Sequence, residues 1–316
     1  MAKRPEPIII NDTNIDDIYI DDNNIIEKDK DIYYTFIADF GYRINDESKS
    51  SLKFLKNQIN RMNNDSILLM GGDLLYDMKK SIEENYNDFI KYYNIECDFY
   101  GVLGNHDYYI NPSYYIDNKL FNMKNWYYTV KKDNVVFYMI DTMLLNTRYS
   151  DMKQYGVCKG HHITCNQWSG YDTMYKYLQK DMLMWLADNL KDNKNKINIV
   201  IGHYPLKSTT HYKGYCGETK ELLFPILKKY KVPVYICGHE HNTQHTIISE
   251  GDYELNHIIS GGCIDTRLFL GEIDKDILFY SIDLIILKFK ITDNFISFRF
   301  HKTCNNEIVY SFDISL

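Results

Sequence analysis

Side chains that can bind metal ions follow short apolar runs at several separate places in this chain. They are Asp39, Asp73, Tyr76, Asn105, His203, His239 and His241. In an α/β sheet the carboxyl ends of neighbouring strands meet at one edge, so side chains that are distant in sequence can line one cleft. A single Asp or His after a strand is usually a turn or structural residue, but five such turns in one chain indicate a metal site.

The types of these side chains indicate two metal ions rather than one. One ion rarely needs seven ligands, whereas two ions that share a bridging carboxylate do. Among these side chains, the Asp73 carboxylate is the natural bridge. The donors are oxygen and nitrogen atoms, which suit several first-row metal ions.

The elements that must position these side chains alternate between strands and helices. Apolar runs predict strands, and a helical spacing of apolar residues predicts helices. The predicted strands are 33–37, 66–70, 98–103, 134–140, 197–201 and 234–236, and the predicted helices are 48–63 and 180–190. The last third of the chain favours short strands at 278–289, 295–301 and 308–314. This pattern predicts a mixed β-sheet protein whose helices cover the outer faces.

Five motifs in this order resemble those of the calcineurin-like metallophosphoesterases. They are ADFG at 38–41, GGDLLY at 71–76, GNHD at 104–107, GHYP at 202–205 and GHEH at 238–241. Gly41 stands where that superfamily usually has a histidine, and Tyr76 follows Asp73 by three residues. This combination is similar to the purple acid phosphatases, and GHYP with Ile140-Asp141-Thr142 is most similar to their short, animal-type, tartrate-resistant members.

The resemblance implies a fold, a domain extent and two metal positions. The implied fold is a four-layer α/β/β/α sandwich of two mixed β-sheets flanked by helices, an α/β (α+β) architecture that spans residues 33–316. The implied first metal is Fe(III), held by Asp39, Asp73, Tyr76 and His241. The implied second metal is Fe(II), Zn(II) or Mn(II), bridged by Asp73 and held by Asn105, His203 and His239.

The same resemblance implies an acid phosphatase that hydrolyses phosphate monoesters by attack of a metal-bound hydroxide. Two cations polarise the phosphoryl oxygens and lower the pKa of a bound water. A trivalent ion should lower that pKa further, so we expect an acidic pH optimum. His106 and His211 are the candidates to bind phosphate and to protonate the leaving alkoxide. Asp107 is expected to orient His106 or a backbone turn.

Two alternatives to a phosphomonoesterase remain open. A phosphodiesterase or nucleotide hydrolase could use the same metals, because the shape of the pocket decides between these ester classes. The other alternative is a non-catalytic binding protein that keeps the fold. Such a protein would be expected to lack one or more ligands, whereas every ligand position is filled in this chain.

Composition limits the partners of the protein. The chain has 316 residues and a formal net charge of -7, so it lacks the positive field that nucleic-acid binding usually requires. No apolar run approaches the roughly 20 residues that a membrane span needs. We therefore expect a monomer that acts on a small phosphorylated substrate or a phosphoprotein, with neither nucleic acid nor membrane as a partner.

The N-terminal residues 1–32 differ in composition from the rest. Residues 8–32 contain eight acidic and two basic side chains, which favours a solvated, disordered tail. The first residues lack the apolar segment of a secretory signal. We therefore expect a cytoplasmic or virally encoded protein rather than a secreted one.

The seven cysteines do not form a disulfide or zinc framework in sequence. Cys158, His161, His162 and Cys165 are of types that bind zinc. Their compressed spacing within one short loop favours a surface loop instead. The resemblance to the short acid phosphatases implies a disulfide between Cys216 and either Cys158 or Cys165, although the absence of a secretory signal argues against it.

Overall fold

The structure is a computed structural model of the chain. It describes residues 8–10, 28–29, 33–41, 50–76, 80–146, 171–210, 216–267 and 273–316.

The described strands form two mixed sheets. The larger sheet has the strand order β1-β11-β9-β10-β8-β7-β6-β5, and the smaller has the order β14-β13-β12-β2-β3-β4. The strands are β1 (Ile8–Ile10), β2 (Tyr34–Ile37), β3 (Ile67–Met70), β4 (Asp98–Gly101), β5 (Tyr128–Lys132), β6 (Val135–Met139), β7 (Ile197–Ile201), β8 (Val234–Cys237), β9 (Thr243–Glu250), β10 (Tyr253–Ser260), β11 (Ile277–Ser281), β12 (Ile285–Ile291), β13 (Phe295–Lys302) and β14 (Ile308–Ser315).

Each sheet contains a run of neighbouring parallel strands. In the larger sheet β6, β7 and β8 run parallel, and in the smaller sheet β2, β3 and β4 do. The other neighbours of these strands include antiparallel pairs, such as β5 with β6 and β12 with β2. Each set of parallel strands therefore delivers its carboxyl ends to one edge, where the next residues of the chain can meet.

The described helices are α1 (Ser50–Asn60), α2 (Ile82–Tyr93), α3 (Asn105–Ile110), α4 (Pro112–Asp117), α5 (Tyr171–Asp192) and α6 (Cys216–Lys229). Short 3₁₀ turns occur at Leu120–Asn122 and Thr142–Leu145. In α1, Leu52, Leu55 and Ile59 recur at helical spacing and are buried, as the sequence predicts. None of the described helices combines the length and the apolarity needed to span a bilayer.

Aromatic side chains fill the space between the two sheets. Phe137 on β6 contacts Tyr34 on β2 at 5.0 Å and Phe289 on β12 at 6.3 Å between ring centroids. Helices α1 and α2 contact each other, and so do α5 and α6. The prediction of two mixed sheets flanked by helices is confirmed.

Parts of the predicted N-terminal tail contact the two sheets. β1 pairs in parallel with β11 at the edge of the larger sheet. The Lys288 ammonium, which is buried, donates a 2.8 Å hydrogen bond to Asp29 Oδ2. Most of residues 1–32 lie outside the described residues, so the division of the chain at residue 33 stays a prediction.

Candidate metal centre

The seven predicted ligands approach one another from the ends of both sheets. Asp39 follows β2, Asp73 follows β3, and Asn105 begins α3 after β4. His203 follows β7, and the segment that contains His239 follows β8. Two different sheet edges therefore contribute side chains to one site.

The backbone at three of these strand ends is left-handed. Asp39 has φ 56°, Asp73 has φ 54° and His239 has φ 70°. Residues other than glycine rarely adopt this conformation, and where they do it is often at a functional site. The sharp turns direct the three side chains away from the strands and towards one another.

Asp73 lies at the centre of the cluster, and its two oxygens face different neighbours. Asp73 Oδ1 is 3.4 Å from His203 Nε2 and accepts a 2.8 Å hydrogen bond from the backbone N–H of His106. Asp73 Oδ2 accepts a 3.1 Å hydrogen bond from the Tyr76 hydroxyl. The carboxylate thus has the placement that a bridge between two cations requires.

The first group of donors consists of Asp39, Tyr76 and His241, of which the Tyr76 hydroxyl bonds to Asp73 Oδ2. Asp39 Oδ2 accepts a 2.7 Å hydrogen bond from the backbone N–H of His239, and Asp39 Oδ1 lies 3.9 Å from His241 Nε2. Asp39 Oδ1 is buried and makes no hydrogen bond with any described residue. A buried carboxylate oxygen in this state needs a proton or a cation.

The second group of donors lies on the Oδ1 side and consists of Asn105, His203 and His239. Asn105 Oδ1 is 3.1 Å from His203 Nε2 and 3.0 Å from His239 Nδ1. His203 Nδ1 is 2.8 Å from the carbonyl oxygen of Gly71, so this nitrogen carries the proton of a neutral imidazole. His203 Nε2 then presents a lone pair towards Asp73 Oδ1, and two such acceptors require a cation or proton between them.

The electrostatics of the protein alone favour uncharged ligands. Burial, and then the neighbouring Asp73 carboxylate, raise the pKa of Asp39 well above its usual range. Burial and Asp73 likewise raise the pKa of the Tyr76 phenol. Burial lowers the pKa of His203 and keeps it neutral. Bound cations would offset the repulsion between the carboxylates, so this donor set fits metal ions. One donor atom each of Asp39, Asp73 and His203 lies within 4.8 Å of the others.

Two glycines leave space that the ligands occupy. A Cβ atom on Gly104 would lie 2.2 Å from Asp73 Oδ1. A Cβ atom on Gly41, whose φ is 29°, would lie 2.0 Å from the Tyr76 ring. A side chain at position 41 and the observed Tyr76 ring therefore exclude each other, which explains why Gly41 and Tyr76 occur together.

The two predicted acid–base histidines differ in what the structure shows. The His106 side chain is 37% exposed, its Nε2 is 3.9 Å from Asp73 Oδ2, and its ring centroid is 4.2 Å from that of Tyr76. His106 therefore lies at the open side of the cluster, where a substrate can reach it. His211 lies outside the described residues, and its role stays a prediction.

Asp107 fixes the backbone of two neighbouring turns. Its carboxylate accepts hydrogen bonds from the backbone N–H groups of Gly104, Leu74 and Leu75. Burial raises the pKa of Asp107 to about 8. Of the two roles expected for Asp107, the structure shows the anchoring of a turn.

The remaining histidines and cysteines considered in the sequence either make hydrogen bonds within the fold or have their expected partners outside the described residues. His245 bonds to Tyr310 and Asn256, and His301 bonds to the carbonyl oxygen of Asn306. The expected partners of Cys216, together with the whole 158–165 loop, lie outside the described residues. The disulfide and the surface-loop interpretation stay predictions.

The structure thus gathers oxygen and nitrogen donors at the strand ends of a two-sheet sandwich. The chain matches the calcineurin-like phosphoesterase family over residues 31–243, and it belongs to that family. Purple acid phosphatase 17 of Arabidopsis thaliana is 25% identical over 294 residues, which are 90% of this chain and 82% of that protein. Tartrate-resistant acid phosphatase type 5 of Oryctolagus cuniculus is 27% identical over 194 residues, 58% of this chain and 54% of that protein.

Solved structures share the fold. GAP50, described as the anchor in the inner membrane complex of Plasmodium, has a TM-score of 0.68 and 20% identity, and the match covers 90% of this chain and 89% of GAP50. Purple acid phosphatase PPD1 from yellow lupin (Lupinus luteus) has a TM-score of 0.59 and 15% identity, with 90% of this chain and 53% of PPD1 covered. These likenesses confirm the metallophosphoesterase sandwich.

Proposed function

We propose that the protein is a binuclear metal-dependent acid phosphatase that hydrolyses phosphate monoesters. The observation that carries this proposal is the position of Asp73 between two groups of donors. Its Oδ2 faces Tyr76, and its Oδ1 faces His203. The similarity to proteins named acid phosphatases supports the same reaction class.

The proposed metals follow from the chemistry of each donor group. Asp39, Tyr76 and His241 suit Fe(III), because a hard phenolate oxygen matches a hard trivalent ion. Asn105, His203 and His239 suit a divalent ion, Fe(II), Zn(II) or Mn(II), because imidazole and amide donors bind all three. Asp73 would be shared by both ions.

The residues of the chain have distinct parts in the proposed reaction. When bound, the two cations supply positive charge for the phosphoryl oxygens and lower the pKa of a water that serves as nucleophile. His106 is exposed on the open side of the cluster and can hold a proton for the leaving alkoxide. The His106 Nε2 atom lies 3.9 Å from Asp73 Oδ2, so a leaving alkoxide that His106 protonates would lie beside the cluster. We propose a small phosphorylated molecule or a phosphoprotein as the substrate and a monomer as the active form.

The test compares two esters and two matched variants. Hydrolysis of p-nitrophenyl phosphate and of bis(p-nitrophenyl) phosphate is measured from acidic to neutral pH for the wild type, Asp73→Asn and Asp98→Asn. Asp98 is an exposed residue at the start of β4 and controls for the loss of one carboxylate. We expect the monoester to be the faster substrate, with an acidic optimum. Asp73→Asn should lower the rate by about 100-fold or more, while Asp98→Asn should retain it.

Two other outcomes would contradict the proposal. A faster reaction of the diester would favour the phosphodiesterase or nucleotide hydrolase. No hydrolysis of either ester by folded, metal-loaded wild type would favour the non-catalytic alternative, and GAP50, with the same fold, is described as an anchor.

A further inference from the structure

The turn after β6 joins the two sheets underneath the candidate metal centre. Asp141 and Thr142 lie in this turn, and both side chains are fully buried. Asp141 Oδ1 accepts a 2.9 Å hydrogen bond from the backbone N–H of Met143, which closes the turn. Neither residue belongs to the seven predicted ligands, so their burial and hydrogen bonding call for a separate explanation.

Asp141 holds the helix that carries Asn105. The Tyr108 hydroxyl, on the same short helix α3, donates a short hydrogen bond to Asp141 Oδ2. Both partners are buried. A hydrogen bond shielded from water in this way is electrostatically stronger than one on the surface. It fixes α3, which follows the smaller sheet, against the end of the larger one.

Thr142 holds the turn that carries His203. Thr142 Oγ1 accepts two hydrogen bonds, one of 3.1 Å from the backbone N–H of His203 and one of 2.8 Å from that of Tyr204. The contact is close, because a Cβ atom on Gly202 would lie 2.5 Å from Thr142 Cγ2. The hydroxyl oxygen therefore fixes where the backbone of His203 begins to leave β7.

The same turn also supports His239. The Tyr204 ring packs edge-on against the His239 ring, with 4.4 Å between their centroids. The Tyr204 carbonyl accepts a 2.6 Å hydrogen bond from the Tyr235 hydroxyl. Tyr235 lies on β8, which ends at Cys237, shortly before His239. Thr142 thus acts on His203 directly and on His239 through Tyr204.

We propose that Asp141 and Thr142 are positioning residues for one of the two metal positions. They set the metal affinity of the position formed by Asn105, His203 and His239. The hydrogen bonds of this pair reach His203 directly, Asn105 through helix α3, and His239 through Tyr204. Among the described residues, no hydrogen bond of Asp141 or Thr142 reaches Asp39, Tyr76 or His241. The proposal rests on the proposed function, because it assumes that the site binds two metal ions.

Removing the Thr142 hydroxyl should therefore weaken one metal and spare the other. In Thr142→Val the shape of the side chain is kept, but two buried N–H groups lose their acceptor. Residues that orient metal ligands typically contribute 10 to 100-fold in metal affinity. We expect one of two zinc-binding steps to weaken by about 10 to 100-fold.

The experiment counts zinc in four proteins. Wild type, Thr142→Val, Thr142→Ser and Thr246→Val are stripped with a chelator, titrated with zinc by calorimetry, and analysed for zinc per chain by mass spectrometry. Thr142→Ser keeps the acceptor oxygen and should bind as the wild type does. Thr246 is buried on β9 and its hydroxyl bonds to no described residue, so Thr246→Val controls for the same chemical change.

Further readouts separate positioning from a loss of structure. Thermal unfolding of the stripped proteins shows whether Thr142→Val is folded. If it is not, Tyr108→Phe, which removes the hydroxyl bound to Asp141, should weaken the same zinc step. If the Tyr76 phenolate binds Fe(III), charge transfer from the phenolate to the iron should give a visible absorption band. The iron-loaded Thr142→Val protein should keep this band, and excess divalent metal should restore its phosphatase activity.

The possible results distinguish this proposal from the proposed function. Wild type that binds fewer than two zinc ions overturns both. Wild type that binds two zinc ions, together with unchanged zinc binding by folded Thr142→Val and Tyr108→Phe, overturns the positioning role alone. Equal weakening of both zinc steps also overturns it, because the effect would then be general.

Discussion

The backbone N–H of His239 donates a 2.7 Å hydrogen bond to Asp39 Oδ2 and thereby ties the loop after β8 to the loop after β2. One oxygen of Asp39 is fixed by this bond, while the other lies 3.9 Å from His241 Nε2. Asp39 is fully buried and close enough to the Asp73 carboxylate to have its pKa raised. The metal-free protein therefore holds two buried acidic groups that repel each other.

Asp39→Asn should stabilise the metal-free protein. The substitution removes one of the two acidic groups, and its amide oxygen can still accept the N–H of His239. Because burial and the Asp73 carboxylate raise the pKa of Asp39, the ionised form of Asp39 is unfavourable in the folded protein, so we expect a higher free energy of unfolding for Asp39→Asn near neutral pH. Urea denaturation of chelator-treated protein measures it, with Asp98→Asn as the control.

The same variant should lose stabilisation by zinc. A ligand that binds only the folded state raises its stability according to its affinity. If Asp39→Asn destabilises the metal-free protein, the expected repulsion is contradicted. If the variant keeps the full zinc-induced rise in Tm, Asp39 is not a ligand.

Gly104→Ala should damage the site. The added Cβ atom would lie 2.2 Å from Asp73 Oδ1 and 2.3 Å from the backbone nitrogen of Asp73, so the carboxylate and its backbone must both move. We expect a loss of about 10-fold or more in zinc affinity. Gly217→Ala is the matched control, because its Cβ atom would meet nothing within 4 Å and it lies in helix α6. Equal zinc affinity in both variants would show that Gly104 has no part in placing Asp73.

His257 should make the protein less stable in acid. Its Nε2 accepts a 3.1 Å hydrogen bond from the backbone N–H of Leu206, and burial lowers the pKa of His257 from 6.5 to about 3. The unfolded chain therefore binds a proton below pH 6.5 that the folded chain does not. Between pH 6.5 and 3 this group removes up to about 1.4 kcal/mol of stability for each unit of pH decrease.

The His257→Gln variant tests this dependence. Glutamine offers an acceptor for Leu206 but does not titrate. Denaturation curves from neutral to acidic pH should show a shallower loss of stability than in the wild type, by the slope of one proton. Identical slopes in the two proteins would contradict a buried, neutral His257.

Tyr76→Phe should remove the visible colour of the iron-loaded protein. The phenol oxygen lies 3.1 Å from Asp73 Oδ2, and its replacement by hydrogen leaves no phenolate to bind iron. Absorption spectroscopy at equal iron content measures the effect. Tyr177→Phe, at a tyrosine that is 67% exposed on α5, should keep the band. A band that persists in Tyr76→Phe would place the iron elsewhere.

The sequence predicts much of the fold because its polar motifs directly follow apolar strands. The strands predicted at 66–70 and 197–201 are observed as Ile67–Met70 and Ile197–Ile201. The helix predicted at 180–190 is longer in the structure, where it spans Tyr171–Asp192. The prediction missed its first part because polar residues there interrupt the apolar spacing. The strand Ile8–Ile10 lies in a segment whose acidic composition predicts a solvated tail, because composition does not reveal pairing with β11.

The sequence predicts the candidate metal ligands but not the residues that position them. Motif residues such as Asp73 and His203 carry metal-binding chemistry in their own types. Thr142 has a common side chain, and its two hydrogen bonds depend on how β6 and β7 pair. The strand predicted at 134–140 and the resemblance of Ile140-Asp141-Thr142 to the short acid phosphatases both marked this turn, but neither implied a role for Thr142.

Anomalous diffraction from crystals grown with zinc would show whether Asp73 lies between two metal ions. We expect two peaks about 3.5 to 4 Å apart. One should lie beside Tyr76 and His241 and the other beside Asn105 and His203, with Asp73 between them. A single peak, or none within reach of Asp73, would contradict the binuclear centre.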